Sequence, residues 1–234
     1  ATVFTLTNVA TYSGGTAADF ATLITNESKS LIDGGITDEA LIVDSTGTIS
    51  VSEVNTLNST TTGVVTATIT EGDMTTLADL ADKEDSQSTD NAYTVTVTDT
   101  SVAAAALNTL AGLTSVAVNG SAITTLTGTI SAVNTSYANT SGITGLGNEA
   151  VTISDTNNSG DGVAIDELND LDDNTTGTVD AGTITKAAGS LAELLTAYGS
   201  NGITGLGNET IAVSDTVTLA ASDLNSLDSK TSGT

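Results

Sequence analysis

The 234-residue chain contains no cysteine, histidine, tryptophan or proline, and Lys29, Lys83, Lys186 and Lys230 are its whole basic complement. Each absence removes a class of function. Without Cys there are no disulfides and no thiolate chemistry. Without Cys and His, the usual zinc sites and histidine acid–base catalysis are excluded. Twenty-nine acidic residues against four lysines give a formal net charge of −25. Nucleic-acid binding needs a cationic footprint that displaces counterions from phosphates, and there is none. Aromatic residues make up only 3% of the chain, two Phe and four Tyr. The stacking platform of a carbohydrate-cleaving cleft is therefore missing, and acidic pairs such as Asp172–Asp173 and Glu84–Asp85 read as solvated faces. No apolar run approaches the roughly 18 residues of a membrane span. No basic and then apolar leader opens the chain, so any secretion signal is expected to be absent or removed.

High net charge with few aromatics is the usual mark of disorder. Two features oppose it here: 38% of residues are apolar, and the mean hydropathy is +0.13. Roughly one residue in five is Thr, and the apolar residues fall into patterned groups of Ala, Val, Leu and Ile. Those groups repeat. Ile143-Thr-Gly-Leu-Gly-Asn-Glu149 recurs as Ile203-Thr-Gly-Leu-Gly-Asn-Glu209. Each copy runs into a strand-like stretch, Val151–Thr156 and Ile211–Thr216, with divergent counterparts at Tyr93–Thr100 and Ala40–Thr46. A second block follows, Leu107-Asn-Thr-Leu110, Leu168-Asn-Asp-Leu171 and Leu224-Asn-Ser-Leu227. Turns of Thr-x-Gly form come next (Thr61–Gly63, Thr175–Gly177, Thr231–Gly233), and then another short strand.

Strands begin after these turns near Val3, Val64, Val116 and Val179, so the spacing predicts four repeats of about 58 residues, roughly 1–62, 63–114, 115–177 and 178–234. Period-two runs such as Thr66–Thr70 and Thr94–Thr98 read as strands. Leu/Ala segments between them carry helical spacing. Ser101 is expected to cap a helix over 103–110, and Ser190 with Glu193 has capping-box form; Thr16 with Asp19 is a looser version. The expected architecture is one continuous α/β solenoid of parallel strands alternating with short helices, without separate caps. The alternative is an all-β parallel solenoid. The absence of Pro suits long regular ladders. An array opened and closed at one phase reads as a piece of a longer array or a subunit stacked end to end.

The Leu-Asn-x-Leu blocks, the Thr-x-Gly-Thr-Val turns, the Ile-Thr-Gly-Leu-Gly-Asn segments and the Val-Thr-Val-Thr-Asp-Thr strand resemble tandem repeats in giant extracellular proteins of marine cyanobacteria and related bacteria. The resemblance covers nearly the whole chain, most clearly from about Ala40 onward. It implies secretion, a cell-surface or filament location, and a structural or adhesive role, often with calcium. It supplies no catalytic residues.

One segment has the spacing of a calcium loop. Asp155, Asn157, Ser159 and Asp166 stand at loop positions 1, 3, 5 and 12, with Gly160 at position 6 and Asp161 offering its carbonyl. Alternate side chains of a tight loop can converge the six to eight oxygens a hard dication needs. The last ligand is Asp where Glu is usual, and the opposing reading is a solvated loop that binds nothing. The equivalent stretch Ser214–Leu224 is about four residues shorter, so an insertion creates the loop. The two Gly-Leu-Gly-Asn segments lack the Lys of a phosphate loop and read as turns with positive φ, Asn148 and Asn208 bonding backbone.

The function these features point to is structural, not enzymatic: a repeat protein building an extracellular filament, sheath or surface layer, with copies of itself as partner. The alternative is a binding module, either a calcium-rigidified adhesin stalk contacting surface glycans or other cells, or an ice-binding solenoid. Neither nucleic acid nor membrane insertion is expected.

Overall fold

A computed structural model describes residues 4–6, 9–29, 32–33, 37–44, 46–83, 89–157 and 160–233. Among them the elements run β1 (Phe4–Thr5), β2 (Thr11–Gly15), α1 (Ala17–Ser28), β3 (Ile32–Asp33), β4 (Ala40–Val43), α2 (Val51–Asn58), β5 (Val65–Thr68), α3 (Met74–Leu77), β6 (Ala92–Thr94), β7 (Ser101–Ala103) and α4 (Ala104–Ala111). They continue with β8 (Val118–Asn119), β9 (Thr125–Gly128), α5 (Ile130–Ala138), β10 (Ile143–Thr144), β11 (Ala150–Ile153), β12 (Val163–Ala164), α6 (Ile165–Asn174), β13 (Val179–Asp180), β14 (Lys186–Gly189), α7 (Leu191–Gly199), β15 (Ile203–Thr204), β16 (Thr210–Val213) and α8 (Ala221–Asp228).

The chain is α/β, with short parallel strands alternating with short helices. All pairings among the described strands are parallel, and paired residues lie 24 to 29 positions apart in sequence, as in Leu41 with Val65 and Thr11 with Ala40. A parallel partner needs a crossover connection of a dozen or more residues, and that interval holds one strand, one short helix and two turns. Two such intervals fit into the 58-residue period of the sequence. Eight helices among the described residues set aside the all-β alternative.

The chain divides into two compact units. The first takes residues 1–99, 109–121 and 141–144 and contains the four-stranded sheet β2-β4-β5-β6 and the pairs β1-β3 and β8-β10. Its core holds Leu41, Val54, Leu57, Val65, Leu77, Tyr93 and Val97. The second takes residues 100–108, 122–140 and 145–234, with the five-stranded sheet β15-β13-β11-β9-β7 and the three-stranded sheet β12-β14-β16. Its core is built from Leu126, Ile130, Val133, Val151, Ile165, Leu168, Leu171, Val179 and Leu194.

Local chemistry accounts for most helix starts. Ser190 and Glu193 form the expected capping box on α7, Thr16 and Asp19 form a full one on α1, and Ser50 and Glu53 form a third on α2. The hydroxyl of Thr16 holds the carboxyl of Asp19 below the usual carboxylate range, and that of Ser50 does the same for Glu53. Ser101 does not cap a helix. It pairs in β7 with Thr125 of β9, and α4 starts at Ala104, because a strand partner was available to those residues. The expected strand over Thr94–Thr98 is also broken: β6 ends at Thr94, and Thr96 makes only an isolated bridge to Asn119.

Candidate functional site

The acidic loop lies between β11 and α6. Asp155 does not stand free, since its Oδ2 accepts the backbone N–H of Ile130, the first residue of α5, at 2.7 Å. The carbonyl of Asn157 accepts the N–H groups of Gly160 and Gly162 at 3.0 Å, closing the loop on itself. Gly160 and Gly162 adopt φ of 101° and 105°, which suits residues without a Cβ. Lys186 donates from Nζ to the carbonyl of Gly160 at 2.5 Å. Asp161 is exposed, Asp166 is exposed on the first turn of α6, and Ser159 lies outside the described residues. No group of three or more acidic side chains among the described residues is gathered to hold a metal ion. Of the expected acidic pairs, Asp172 accepts the Ser200 hydroxyl at 2.6 Å, while Glu84 and Asp85 lie outside the described residues.

The partner that Asp155 takes belongs to a series. Asp215 Oδ2 accepts the N–H of Leu191 at the start of α7 (2.6 Å), and Asp99 Oδ2 that of Met74 at the start of α3 (2.7 Å). Glu71 Oε2 accepts that of Val51 at the start of α2 (3.0 Å). A helix leaves its first N–H groups without an intrahelical partner and carries positive potential there. In each case an acid 20 to 25 residues downstream supplies the missing acceptor and the complementary charge.

The Asn of the helical block runs the same way. Asn55 donates its side-chain amide to the carbonyl of Asp79, Asn108 to that of Ala132, Asn134 to that of Glu167 and Asn169 to that of Glu193, at 2.7 to 3.1 Å. In the Leu-Asn-x-Leu blocks at 107–110 and 168–171 the leucines are core and the Asn ties its helix to the following segment. Thr-x-Gly turns complete the set. The hydroxyls of Thr61, Thr175 and Thr231 donate to the carbonyls of Glu39, Glu149 and Glu209, and accept from the N–H two residues on. A Cβ at Gly63, Gly177 or Gly233 would overlap that same Glu carbonyl, so close approach of backbone requires the glycine.

Spacing did not mark two fully buried carboxylates. Glu149 is 0% and Glu209 1% exposed, with no lysine beside either. Glu149 Oε2 accepts the Tyr137 hydroxyl at 2.9 Å and the Gly147 N–H at 2.8 Å; Glu209 Oε2 accepts Tyr198 at 2.6 Å and Gly207 at 2.8 Å. Gly147 and Gly207 do take positive φ, 133° and 137°, as expected. The turns are closed by the Glu carboxylates, however; Asn208 reaches the Ser232 hydroxyl and not backbone. Buried carboxylates demand such donors, because desolvation without them is costly. Burial pushes both phenols well above the usual tyrosine range; at Tyr137 the Thr175 hydroxyl opposes it, ahead of smaller rises from Glu149, and at Tyr198 Glu209 adds to it while Thr231 pulls back. The signal in the sequence was the recurrence of Tyr eleven or twelve residues before the Glu of each copy.

Many of the acids, amides and hydroxyls named here bond the chain's own backbone and join one strand–helix segment to the next. No family model, curated protein or solved structure matches the chain.

Proposed function

We propose that the protein is structural and non-enzymatic: each unit is a stretch of α/β solenoid, and copies stack end to end into an extracellular filament, sheath or surface layer. The observation that carries this reading is that the bridging side chains recur along the chain and join adjacent segments. Asp or Glu to a helix N-terminus, and Asn to a following carbonyl, recur at 20 to 33 residues and always join neighbours along the chain. In a solenoid each unit contacts only its neighbours, and stacking makes the core. An acid-rich, lysine-poor surface fits a protein that stays soluble outside the cell and resists lateral clumping through self-repulsion. Electron microscopy and light scattering of the purified chain, over a concentration series in 0.15 M salt, test the reading. Lengthwise polymers of one constant width support it. A monomer at every concentration up to the millimolar range overturns it.

A further inference from the structure

Asn119-Gly120 and Asn201-Gly202 are the two Asn-Gly pairs of the sequence. Asparagine before glycine is a reactive arrangement, because the glycine nitrogen stands beside the side-chain carbonyl carbon with no Cβ to shield it. The structure treats the two pairs differently. Gly120 is buried and donates its N–H to the Thr144 carbonyl at 2.8 Å, and Asn119 Oδ1 accepts the Ser121 N–H at 3.1 Å. Asn201 is exposed in the turn between α7 and β15, and its amide pairs with none of the described residues.

The Asn201 turn also differs from its relatives. In turns 61–63, 114–116, 175–177 and 231–233 the hydroxyl of the first residue accepts the N–H of the third and donates to a main-chain carbonyl. In turn 200–202 the same hydroxyl, Ser200 Oγ, accepts the Gly202 N–H at 2.9 Å but donates to a carboxylate, Asp172 Oδ2, at 2.6 Å. The middle residue is Thr or Ser in the other turns and Asn here. A Cβ on Gly202 would overlap the Asp172 carboxylate, so the placing of that carboxylate requires the glycine. N–H, hydroxyl and carboxylate thus form a continuous line along which a proton can leave the Gly202 nitrogen, the arrangement that activates a weak nucleophile.

We propose that turn 200–202 is a self-modification site, at which Asn201 deamidates with the Ser200–Asp172 pair as its proton acceptor. The Gly202 nitrogen attacks Cγ of Asn201, its proton passing to Ser200 Oγ while the Ser200 proton passes to Asp172. The new N–Cγ bond closes a five-membered succinimide ring. The Cγ–Nδ2 bond then breaks, and Nδ2 takes the proton back through Ser200 and leaves as ammonia. Water, the co-reactant, opens the ring at either carbonyl and leaves aspartate or isoaspartate at position 201, with no change of oxidation state. Ser200 touches the reacting nitrogen, and Asp172 is a positioning residue that acts through it. Reaction adds one negative charge. Isoaspartate also lengthens the main chain by a methylene just before β15, where the Gly202 carbonyl accepts the Val179 N–H.

Ageing the purified chain at neutral pH, followed by fragment-ion mass spectrometry, reads both Asn-Gly pairs in one sample as a gain of about 1 Da. Positioned proton acceptors speed a step by about 10²–10⁴-fold in enzymes, and this bare pair is expected to make Asn201 react at least about tenfold faster in the folded chain than in concentrated urea. In urea Asn201 and Asn119 are expected to react alike, and in the folded chain Asn119 is expected to stay intact. Ser200→Ala and Asp172→Asn are each expected to slow Asn201 by about tenfold. Hydroxide is then the only base, so the rate in each variant climbs about tenfold per pH unit between about pH 6 and pH 8, whereas the parent's climbs less steeply. Circular dichroism, and an intact Asn119, check that each variant is folded. A parent whose Asn201 reacts no faster folded than in urea overturns the proposal without any variant. An unchanged rate, or an unchanged pH slope, in either variant overturns it as well.

Discussion

Two copies of one motif meet different fates in the second unit. Val151, Ile153, Leu168 and Leu171 are at most 1% exposed, whereas the matching Ile211 is half-buried and the matching Val213 and Leu224 are 36% and 39% exposed; only Leu227, the match of Leu171, stays buried, at 4%. The residue types are nearly the same and the local elements are the same, strand and helix. What differs is the neighbour. β13 and α7 lie over the first copy, and no described segment lies over the second. Burial of the positions matching Ile153 and Leu168 is therefore conferred by the following segment, while the position matching Leu171 is buried within its own segment and against the preceding helix.

The sharpest way to break that comparison is to truncate the same Leu in both copies. Leu168→Ala is expected to cost about 2–5 kcal/mol in urea unfolding, as for other fully buried leucines, and Leu224→Ala under about 1 kcal/mol. Equal losses under monomeric conditions would mean that α8 is covered after all.

The buried carboxylates of both copies accept a Tyr hydroxyl and a glycine N–H, and for these bonds no contrast is expected. Tyr137→Phe and Tyr198→Phe each remove an O–H donor from a carboxylate that stays buried, at a cost of about 1–3 kcal/mol by thermal or urea melts. A loss confined to Tyr137 would extend the exposure contrast to the Glu turns. Alkaline titration reads the same groups. The folded state raises the phenols of Tyr93, Tyr137 and Tyr198, chiefly through burial, so it holds their protons more tightly than the unfolded chain does. The stability this confers is complete below about pH 10, the unfolded value, and is lost as pH climbs further. Tyrosinate absorbance at 295 nm from these three is expected to rise together with unfolding, after the half-buried Tyr12 has titrated in the folded chain. Three phenols titrating before any loss of circular dichroism would contradict their burial.

The smallest contrast is in the amide bridges. Asn169→Ala removes a bond to the Glu193 carbonyl and is expected to cost about 1 kcal/mol, while Asn225→Ala stays within about 0.5 kcal/mol in the monomer.

Several features were legible in the residues alone because they depend on near neighbours in sequence. The capping boxes at Thr16 and Ser190 form as spacing implies, since a hydroxyl and a carboxylate three residues apart meet on one helical turn. The glycine turns at Gly147 and Gly207 take positive φ as their lack of a Cβ allows. The parallel strand–helix alternation followed from period and length. Other features were not legible. Ser101 carries a cap signal, yet pairing with Thr125 made it a strand residue. Asp155 and Asp215 stand in one Ser-Asp-Thr motif and both cap a helix about 25 residues upstream, a role no local pattern announces.

The acidic loop divides the two kinds of knowledge most clearly. Composition and spacing established an insertion with oxygen-bearing side chains at alternate positions and glycines where the chain must turn. Only the tertiary structure assigned the oxygens: Asp155 to the Ile130 amide, the Asn157 carbonyl to Gly160 and Gly162, and the Gly160 carbonyl to Lys186. The insertion also carries β12, which pairs with β14, while the shorter stretch before α8 forms no strand. The sequence by itself determined which residues can turn, cap and pack, because those properties act over three or four positions. Which acceptor meets which donor, and which apolar face is covered, was decided mainly by segments 20 to 33 residues away, because a parallel strand finds its partner only after a full crossover.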